Sequence, residues 1–335
     1  MSTPLGVAIV GCGWVAPAHA AAIELTPGAR LVAAVDTKLA AAEQVTRQFG
    51  GQPSQDMQVV FERGDVQAVV ICLPQPLHAA VTRHALAAGK HVLCEKPMAM
   101  TTPECQSMID AAERASRHLG VVFNYRYAPV ARVARELIER GEIGDVRSVV
   151  ARMNLRQSAT YPPPAAWRDS RTTTSGGVLT HRVIHVLDFL TLVLGEPRKI
   201  AAVLLDDAAG LEHTAAVSFG FDSGCVATLS VTTAAADAGT RIEISGARGS
   251  LVIGDASLEL NQQPVQLPPD LDVPPPLRPS LQFGTGHVWV MRDFVNAVAT
   301  DTPPPVSGAD GLRMQRVLEQ VYAARATRAA LAHLR

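Results

Sequence analysis

Residues 7–16 read VAIVGCGWVA, an apolar run that ends in G-x-G-x-x-A and passes at once into the helical pattern APAHAAAIEL. A strand, a glycine turn and a helix start in that order leave few folds open. Gly11 permits the tight turn, Gly13 lets a pyrophosphate approach the backbone, and the small Ala16 lets helix and strand pack closely. The anion then lies on the free N–H groups of the helix start. Asp36 closes the next apolar run, LVAAVD, about 20 residues beyond the turn, where a carboxylate can bond both ribose hydroxyls of a dinucleotide. An acid there repels a 2′-phosphate and favours NAD, while Lys38, two residues on, can swing toward such a phosphate and keeps NADP open. The alternative is a structural turn with a capping Asp.

The same grammar fills the first third. Apolar runs at 7–11, 31–36, 68–74, 91–95 and 120–124 alternate with helical segments such as LHAAVTRHALAAG and TTPECQSMIDAAERASRHLG. In the latter Thr102 is expected to cap the helix, Pro103 fits its first turn and Gly120 suits its end. Continuous apolar strands separated by helices predict a parallel sheet covered on both faces. After about residue 125 the pattern changes. A helix, PVARVARELIERG, leads to DVRSVVARMNL and then to IAAVLLDD, HTAAVSFGF, CVATLSVTT, RIEISGARG and SLVIG, with FDSGC as a hairpin turn. These read as successive antiparallel strands. The fold class is therefore α/β: a Rossmann-type parallel sheet over 1–124, then 125–335 as a substrate-binding and oligomerisation domain with an open, mostly antiparallel sheet. The stretch QQPVQLPPDLDVPPPLRPS reads as a long surface loop, and two closing helices follow, the last of which can pack back on the first domain.

Bulk properties narrow the function. At 335 residues the chain suits two domains, and 47% apolar residues with a net charge of -1 exclude the basic excess that nucleic acid or an acidic membrane selects. Five cysteines, odd in number and without C-x-x-C spacing, read as reduced thiols. No apolar run reaches the roughly 18 residues of a membrane span, and no leader pattern precedes the first strand, so a cytoplasmic protein is expected.

In an open parallel sheet, ligands lie beyond the carboxyl ends of the strands. Glu95 and Lys96 of CEKPM close one strand, Leu73, Pro74 and Gln75 another, and Asn124 a third. A Glu-Lys pair there is either a surface ion pair of small value or a lysine aimed at the oxygen of a reacting carbon, where a fixed cation stabilises a developing alkoxide.

The ordered set VAIVGCGWVA, AVVICLPQPLHAAVTRHALAAGKHVLCEKPMAMT and VVFNYRYAP resembles the glucose-fructose oxidoreductase, inositol dehydrogenase and MocA (Gfo/Idh/MocA) family of sugar-type dehydrogenases. The similarity continues through AAWRDSRTTTSGGVLTHRVIHVLDFL, IEISGARGSL and TPPPVSGADGLR, essentially the full length. It implies a Rossmann domain joined to a substrate domain whose open sheet serves a homo-oligomer, dimer or tetramer. It also implies that Lys96 contacts both cofactor and substrate, with Pro97 fixing the backbone behind it. The implied cofactor set is Gly11, Gly13, Trp14, Val15, Asp36, Thr37, Lys38, Leu73, Pro74, Gln75, His78, Glu95, Lys96 and Asn124.

In GGVLTHRVIHVLDFLTLVLGEP, His181, His185 and Asp188 fall at i, i+4 and i+7 on one helical face. They are either hydrogen-bonded core groups or a site. By the resemblance His185 is the catalytic histidine that takes the hydroxyl proton, a role suited to an imidazole near neutrality. His181 stands where many relatives carry Asp, and a histidine supplies no fixed negative charge there. The His-x-x-x-His spacing also suits a metal, with Asp188 as third ligand, but Arg182 replaces the glutamate of a zincin and no metal is expected. Tyr125, Arg126, Tyr127, Tyr161, Trp167 and Arg168 are candidates for the substrate wall, of which family position favours Arg126, Trp167 and Arg168 beside His181 and His185. The expected activity is NAD(P)-dependent hydride transfer to or from a secondary alcohol of a sugar, cyclitol or related polyol. The alternatives are a cofactor-binding sensor without turnover and a cofactor-assisted non-redox elimination.

Overall fold

The computed structural model describes residues 3–155, 174–281 and 284–325. The chain divides into two compact units, the first made of Met1–Tyr127 with Leu271–Gln315 and the second of Ala128–Asp270 with Arg316–Arg335. The stretch 271–315, expected with the second domain, thus belongs to the first.

In the first unit six strands form one parallel sheet: β1 (Leu5–Val10), β2 (Ala29–Val35), β3 (Gln52–Ser54), β4 (Ala68–Ile71), β5 (His91–Cys94) and β6 (Leu119–Val121), in spatial order β3-β2-β1-β4-β5-β6. β3 and the short helix α3 (Met57–Glu62) were not expected from the sequence. The strand order reverses between β1 and β4, the switch point at which such sheets bind ligands. Helices α1 (Ala16–Glu24), α2 (Leu39–Phe49), α4 (Gln75–Ala87) and α5 (Thr102–Ala115) connect the strands. The cap of α5 is Thr101 rather than Thr102: its hydroxyl accepts the Glu104 N–H while the Glu104 carboxylate takes the Thr101 N–H, a reciprocal pair that the three-residue spacing from Thr101 to Glu104 allows. The helix ends at Ser116 in the left-handed region, and Gly120 lies in β6 instead. Val7, Ile9, Ala20, Ile23, Val70 and Leu93 form one buried cluster with Val288, Met291 and Phe294 of α8 (Gly286–Thr300), which explains why 271–315 joins this unit.

In the second unit α6 (Pro129–Glu139) precedes a sheet ordered β14-β13-β12-β11-β7-β10-β9-β8. Its strands are β7 (Val146–Asn154), β8 (Lys199–Asp206), β9 (Glu212–Gly220), β10 (Val226–Thr232), β11 (Gly239–Gly246), β12 (Ser250–Ile253), β13 (Leu258–Leu260) and β14 (Gln263–Pro264). The sheet is antiparallel throughout except that β7, which lies between β10 and β11, runs parallel to β10, so those two expected neighbours are separated. FDSGC makes the β9–β10 hairpin, with Gly224 at φ 78° and Phe221 and Cys225 hydrogen-bonded across it. Burial alternates along the strands: Val149, Ala151, Met153, Val217, Leu229 and Ile244 point inward, and Val150, Val203, Leu205 and Val226 stay exposed. Alternation of this kind marks a sheet with one covered and one open face. The histidine helix begins with π geometry over Leu179–Val183 and continues as α7 (Ile184–Leu194). The closing helix α9 (Gly308–Ala323) contains the boundary between the units. Among the described residues no helix is long and apolar enough to cross a membrane.

Candidate active site

The register of the first sheet assembles the predicted residues. Val10 pairs with Val35 on one side and Ile71 on the other, Ile71 with Cys94, and Cys94 with Val121. The residues that follow, Gly11, Asp36, Cys72 and Glu95, therefore emerge side by side along the carboxyl edge.

Gly11 has φ 93°, and a Cβ there would lie 2.6 Å from the Cys72 carbonyl oxygen, so the turn admits only glycine. A Cβ on exposed Gly13 would meet nothing within 4 Å, which leaves open space beside the backbone. Helix α1 starts with Val15 as cap, without a side-chain hydrogen bond and without an acid in its first turn. Its N–H groups suit an anion. Asp36 accepts the Cys12 N–H on Oδ2 at 2.8 Å and the Lys38 N–H on Oδ1 at 2.9 Å, which fixes the carboxylate and leaves further lone pairs for ribose hydroxyls. Burial first, and Asp36 second, push the Cys12 thiol up to about 12, so it stays neutral in the turn. The cradle fits a dinucleotide. Thr37 and Lys38 are exposed beside it, and Trp14, Val15, Leu73 and Pro74 are half-buried.

Glu95 is buried. Its Oε1 meets Nε2 of His19 at 2.8 Å and Nε2 of His287 at 3.7 Å, while Oε2 takes the Lys96 N–H at 3.0 Å. The Asn124 amide reaches Nδ1 of His287 at 3.4 Å, so the His287 proton sits on Nε2, facing the carboxylate. Burial pushes the Glu95 carboxyl up, but hydrogen bonds from His19 and His287 outweigh it and hold the group well below the ordinary value. Burial also lowers His287. Two imidazoles and a carboxylate are metal-ligand types, and their ligand atoms lie within 4.8 Å of one another. Metal binding through these nitrogens would move each proton to Nδ1. There His287 faces an amide donor, and His19 meets no hydrogen-bond partner among the described residues. As it stands the cluster is a hydrogen-bonded triad, with the Glu95 carboxylate facing Nε2 of both imidazoles.

Gln75 and His78 are buried and spoken for. Gln75 donates to the Ala99 carbonyl, and the ring nitrogens of His78 lie 2.9 Å from the Pro97 and 2.7 Å from the Leu73 carbonyl oxygens. They shape the Leu73 and Lys96-Pro97 loops from behind. Arg126 is ion-paired with Asp310 at 2.9 Å, its side chain 7% exposed. Burial pushes Asp310 up, but Arg126 and the Ser307 N–H bring it below its ordinary value. Tyr127 donates to Asp293, and burial followed by that carboxylate raises its phenol. Both side chains thus fasten the 271–315 segment onto the first unit.

In the second unit His181 and His185 are half-exposed, whereas Asp188, seven residues beyond His181, is 1% exposed and belongs to the core. Thr174 donates to the Gly176 carbonyl, which leaves Nε2 of His181 as the donor to the Thr174 hydroxyl at 3.0 Å. The helix start is held by Glu212: its carboxylate accepts the N–H groups of Gly177 and Leu179 and the Tyr322 hydroxyl. Tyr161, Trp167 and Arg168 lie outside the described residues.

Sequence reasoning missed His19, His287, Glu212 and Tyr322. The available signals were a histidine among alanines in AHAAA and an acid opening the apolar strand EHTAAV.

A parallel sheet with a glycine turn, a ribose-side acid and a Glu-Lys-Pro strand end defines a dinucleotide-dependent oxidoreductase class. Residues 5–123 match the family described as "Oxidoreductase family, NAD-binding Rossmann fold", and residues 131–252 match the "GFO/IDH/MocA C-terminal domain". The chain belongs to the GFO/IDH/MocA family of NAD-binding oxidoreductases. It is 31% identical over 263 residues to 1,5-anhydro-D-fructose reductase of Ensifer adhaerens, covering 74% of each chain. It is 32% identical over 211 residues to levoglucosan dehydrogenase of Pseudarthrobacter phenanthrenivorans, covering 60% of this chain and about half, 54%, of that enzyme. A solved levoglucosan dehydrogenase complex with NADH shares the fold, with a TM-score of 0.85, 23% identity and 96% of each chain covered.

Proposed function

We propose that the chain is an NAD-dependent dehydrogenase or reductase acting on a secondary alcohol or ketone of a sugar, cyclitol or related polyol. The row Asp36, Gly11, Cys72, Glu95 at the sheet's carboxyl edge carries this reading, since it brings Lys96 out beside a cradle shaped for a dinucleotide. Bound NAD supplies the hydride acceptor. Gly13 and the start of α1 hold the pyrophosphate, and Asp36 holds the ribose. Lys96, its backbone N–H tied to Glu95, polarises the substrate oxygen, and His185 takes the hydroxyl proton in the oxidative direction. His181 and the 167–168 pair belong to the substrate wall. Lys38, exposed beside Asp36, keeps NADP within reach as a weaker cofactor.

The second unit serves substrate binding and, through the open sheet face bearing Val150, Val203, Leu205 and Val226, a homo-oligomer in the cytoplasm. The test is nicotinamide absorbance while purified protein meets inositols, anhydrosugars, aldoses and sugar acids, with NAD and NADP tried separately and ketones run in reverse. Reduction of NAD with one ring class is expected. A flat trace with cofactor bound would overturn the catalytic reading in favour of a sensor, and product without net cofactor reduction would point to elimination.

A further inference from the structure

We infer that Glu212 and Tyr322 form a clamp that sets the position of the histidine helix, and so make them positioning residues for His185. This rests on the proposed role of His185. A helix start leaves N–H groups without intrahelical partners, and a nearby Ser, Thr, Asp or Asn usually fills them. Here neither the π segment nor α7 has a side-chain cap. The acceptor comes instead from the first residue of β9, 35 positions away: Gly177 N–H reaches both Glu212 oxygens at 2.8 Å, and Leu179 N–H reaches Oε1 at 3.0 Å.

Tyr322 of α9 donates to the same Oε1 at 2.9 Å, and because its proton is used there, the Thr180 hydroxyl donates to the Tyr322 oxygen, also at 2.9 Å. The helix is thereby pegged to the start of β9 and to the closing helix. No slack remains around the pegs. A Cβ on Gly176 would fall 1.7 Å from the Tyr322 oxygen, and one on Gly177 2.2 Å from the Glu212 carbonyl oxygen.

A carboxylate 1% exposed is costly to bury unless every bond is made, more than an apolar helix already held by Leu187, Phe189 and Leu190 requires. What the clamp adds is definition at one end of the helix, before a wide π turn and just upstream of His185. Reacting groups must be held to within about half an ångström to act, and a charged, multiply bonded anchor does this where packing alone leaves rotation free.

The test uses the full chain with Glu212→Gln and Tyr322→Phe, each first required to bind NADH as the parent does. Hydrogen exchange of the amides at 178–185 is expected to quicken about tenfold or more in Glu212→Gln and less in Tyr322→Phe, as charged hydrogen bonds are lost. The His185 ring titration, followed by NMR, should shift in both. With a turned-over sugar, kcat should fall about 10- to 100-fold while KM stays within about threefold. Lys96→Ala should leave exchange at 178–185 unchanged. A folded Glu212→Gln with parental exchange overturns the clamp whatever its activity. Faster exchange with parental His185 titration reduces Glu212 to a packing group and overturns it too. Should the parent turn over no sugar, the proposed function fails while exchange and titration still decide the clamp.

Discussion

The two units hold their candidate reacting groups by opposite means. Lys96 follows a carboxylate that two separated pieces of chain grip through side chains, His19 from α1 and His287 from α8, the latter backed by Asn124 after β6. His185 follows a helix start whose backbone N–H groups are gripped by one distant carboxylate. The first arrangement ionises and can respond to pH. The second joins a buried carboxylate to backbone donors and also requires the absence of side chains at Gly176 and Gly177, so its tolerance is set by space as well as by charge.

The largest effect that separates the halves should come from Lys96→Ala. Removing a cation from a developing alkoxide should lower kcat by about a thousandfold with NADH affinity within a few-fold of the parent, measured by absorbance and fluorescence titration. An active variant would sink the assignment. Next comes Gly177→Ala, whose methyl group would press on the Glu212 backbone. Denaturant unfolding should show a loss of about 3 kcal/mol, with the second unit opening first by hydrogen exchange.

Glu95→Gln should cost about 2 kcal/mol at pH 7, since a neutral amide accepts more weakly than a carboxylate. The pH dependence follows from the directions of the shifts. His287 is held below its ordinary 6.5, so the unfolded chain binds the extra proton first and stability falls as pH drops below that value. Glu95 lies well below its ordinary 4.5, so its contribution is complete above 4.5 and lost as pH falls further. Hence the gap between parent and Glu95→Gln in urea melts should hold steady above 4.5 and narrow progressively as pH falls below it; a constant gap down the acid range would remove Glu95 as its source. The smallest change is Gly13→Ala, placed in open space. Its melting temperature should match the parent while NAD binding weakens about tenfold, or about 1.4 kcal/mol. Unchanged affinity would place the pyrophosphate elsewhere.

The same contrast explains what the sequence revealed. The glycine turn, Asp36 and the Glu-Lys strand end were legible because each is a local string whose meaning depends on the strand before it, and parallel register then aligned them. The fold class and the open antiparallel sheet were legible from periodicity. β3 was not: it is three residues, QPS, with a proline and no apolar alternation, and α3 is a single short run beside it. The insertion of β7 between β10 and β11 was hidden because strand order is set by sheet packing rather than by succession. His19 with Glu95, 76 positions apart, and Glu212 with Tyr322, 110 apart, left no spacing to read. Arg126 shows the converse. It was read as a candidate for the substrate wall, and its ion-pair partner Asp310, 184 residues on, lay beyond the reach of any local pattern.

The return of Leu271–Gln315 to the first unit has a consequence for how the protein is made. Chains emerge from the ribosome amino end first, and a contiguous leading domain can fold before its successor is synthesised. This one cannot finish on that schedule. Until α8 emerges, Ile23 and Leu93 lack the cover of Val288, Met291 and Phe294, and Glu95 lacks His287. A nascent chain released after Tyr127 would present that uncovered apolar wall to chaperones and proteases. The dinucleotide half therefore matures only after the whole stretch 128–270 has been translated, which ties cofactor competence to completed synthesis of its companion.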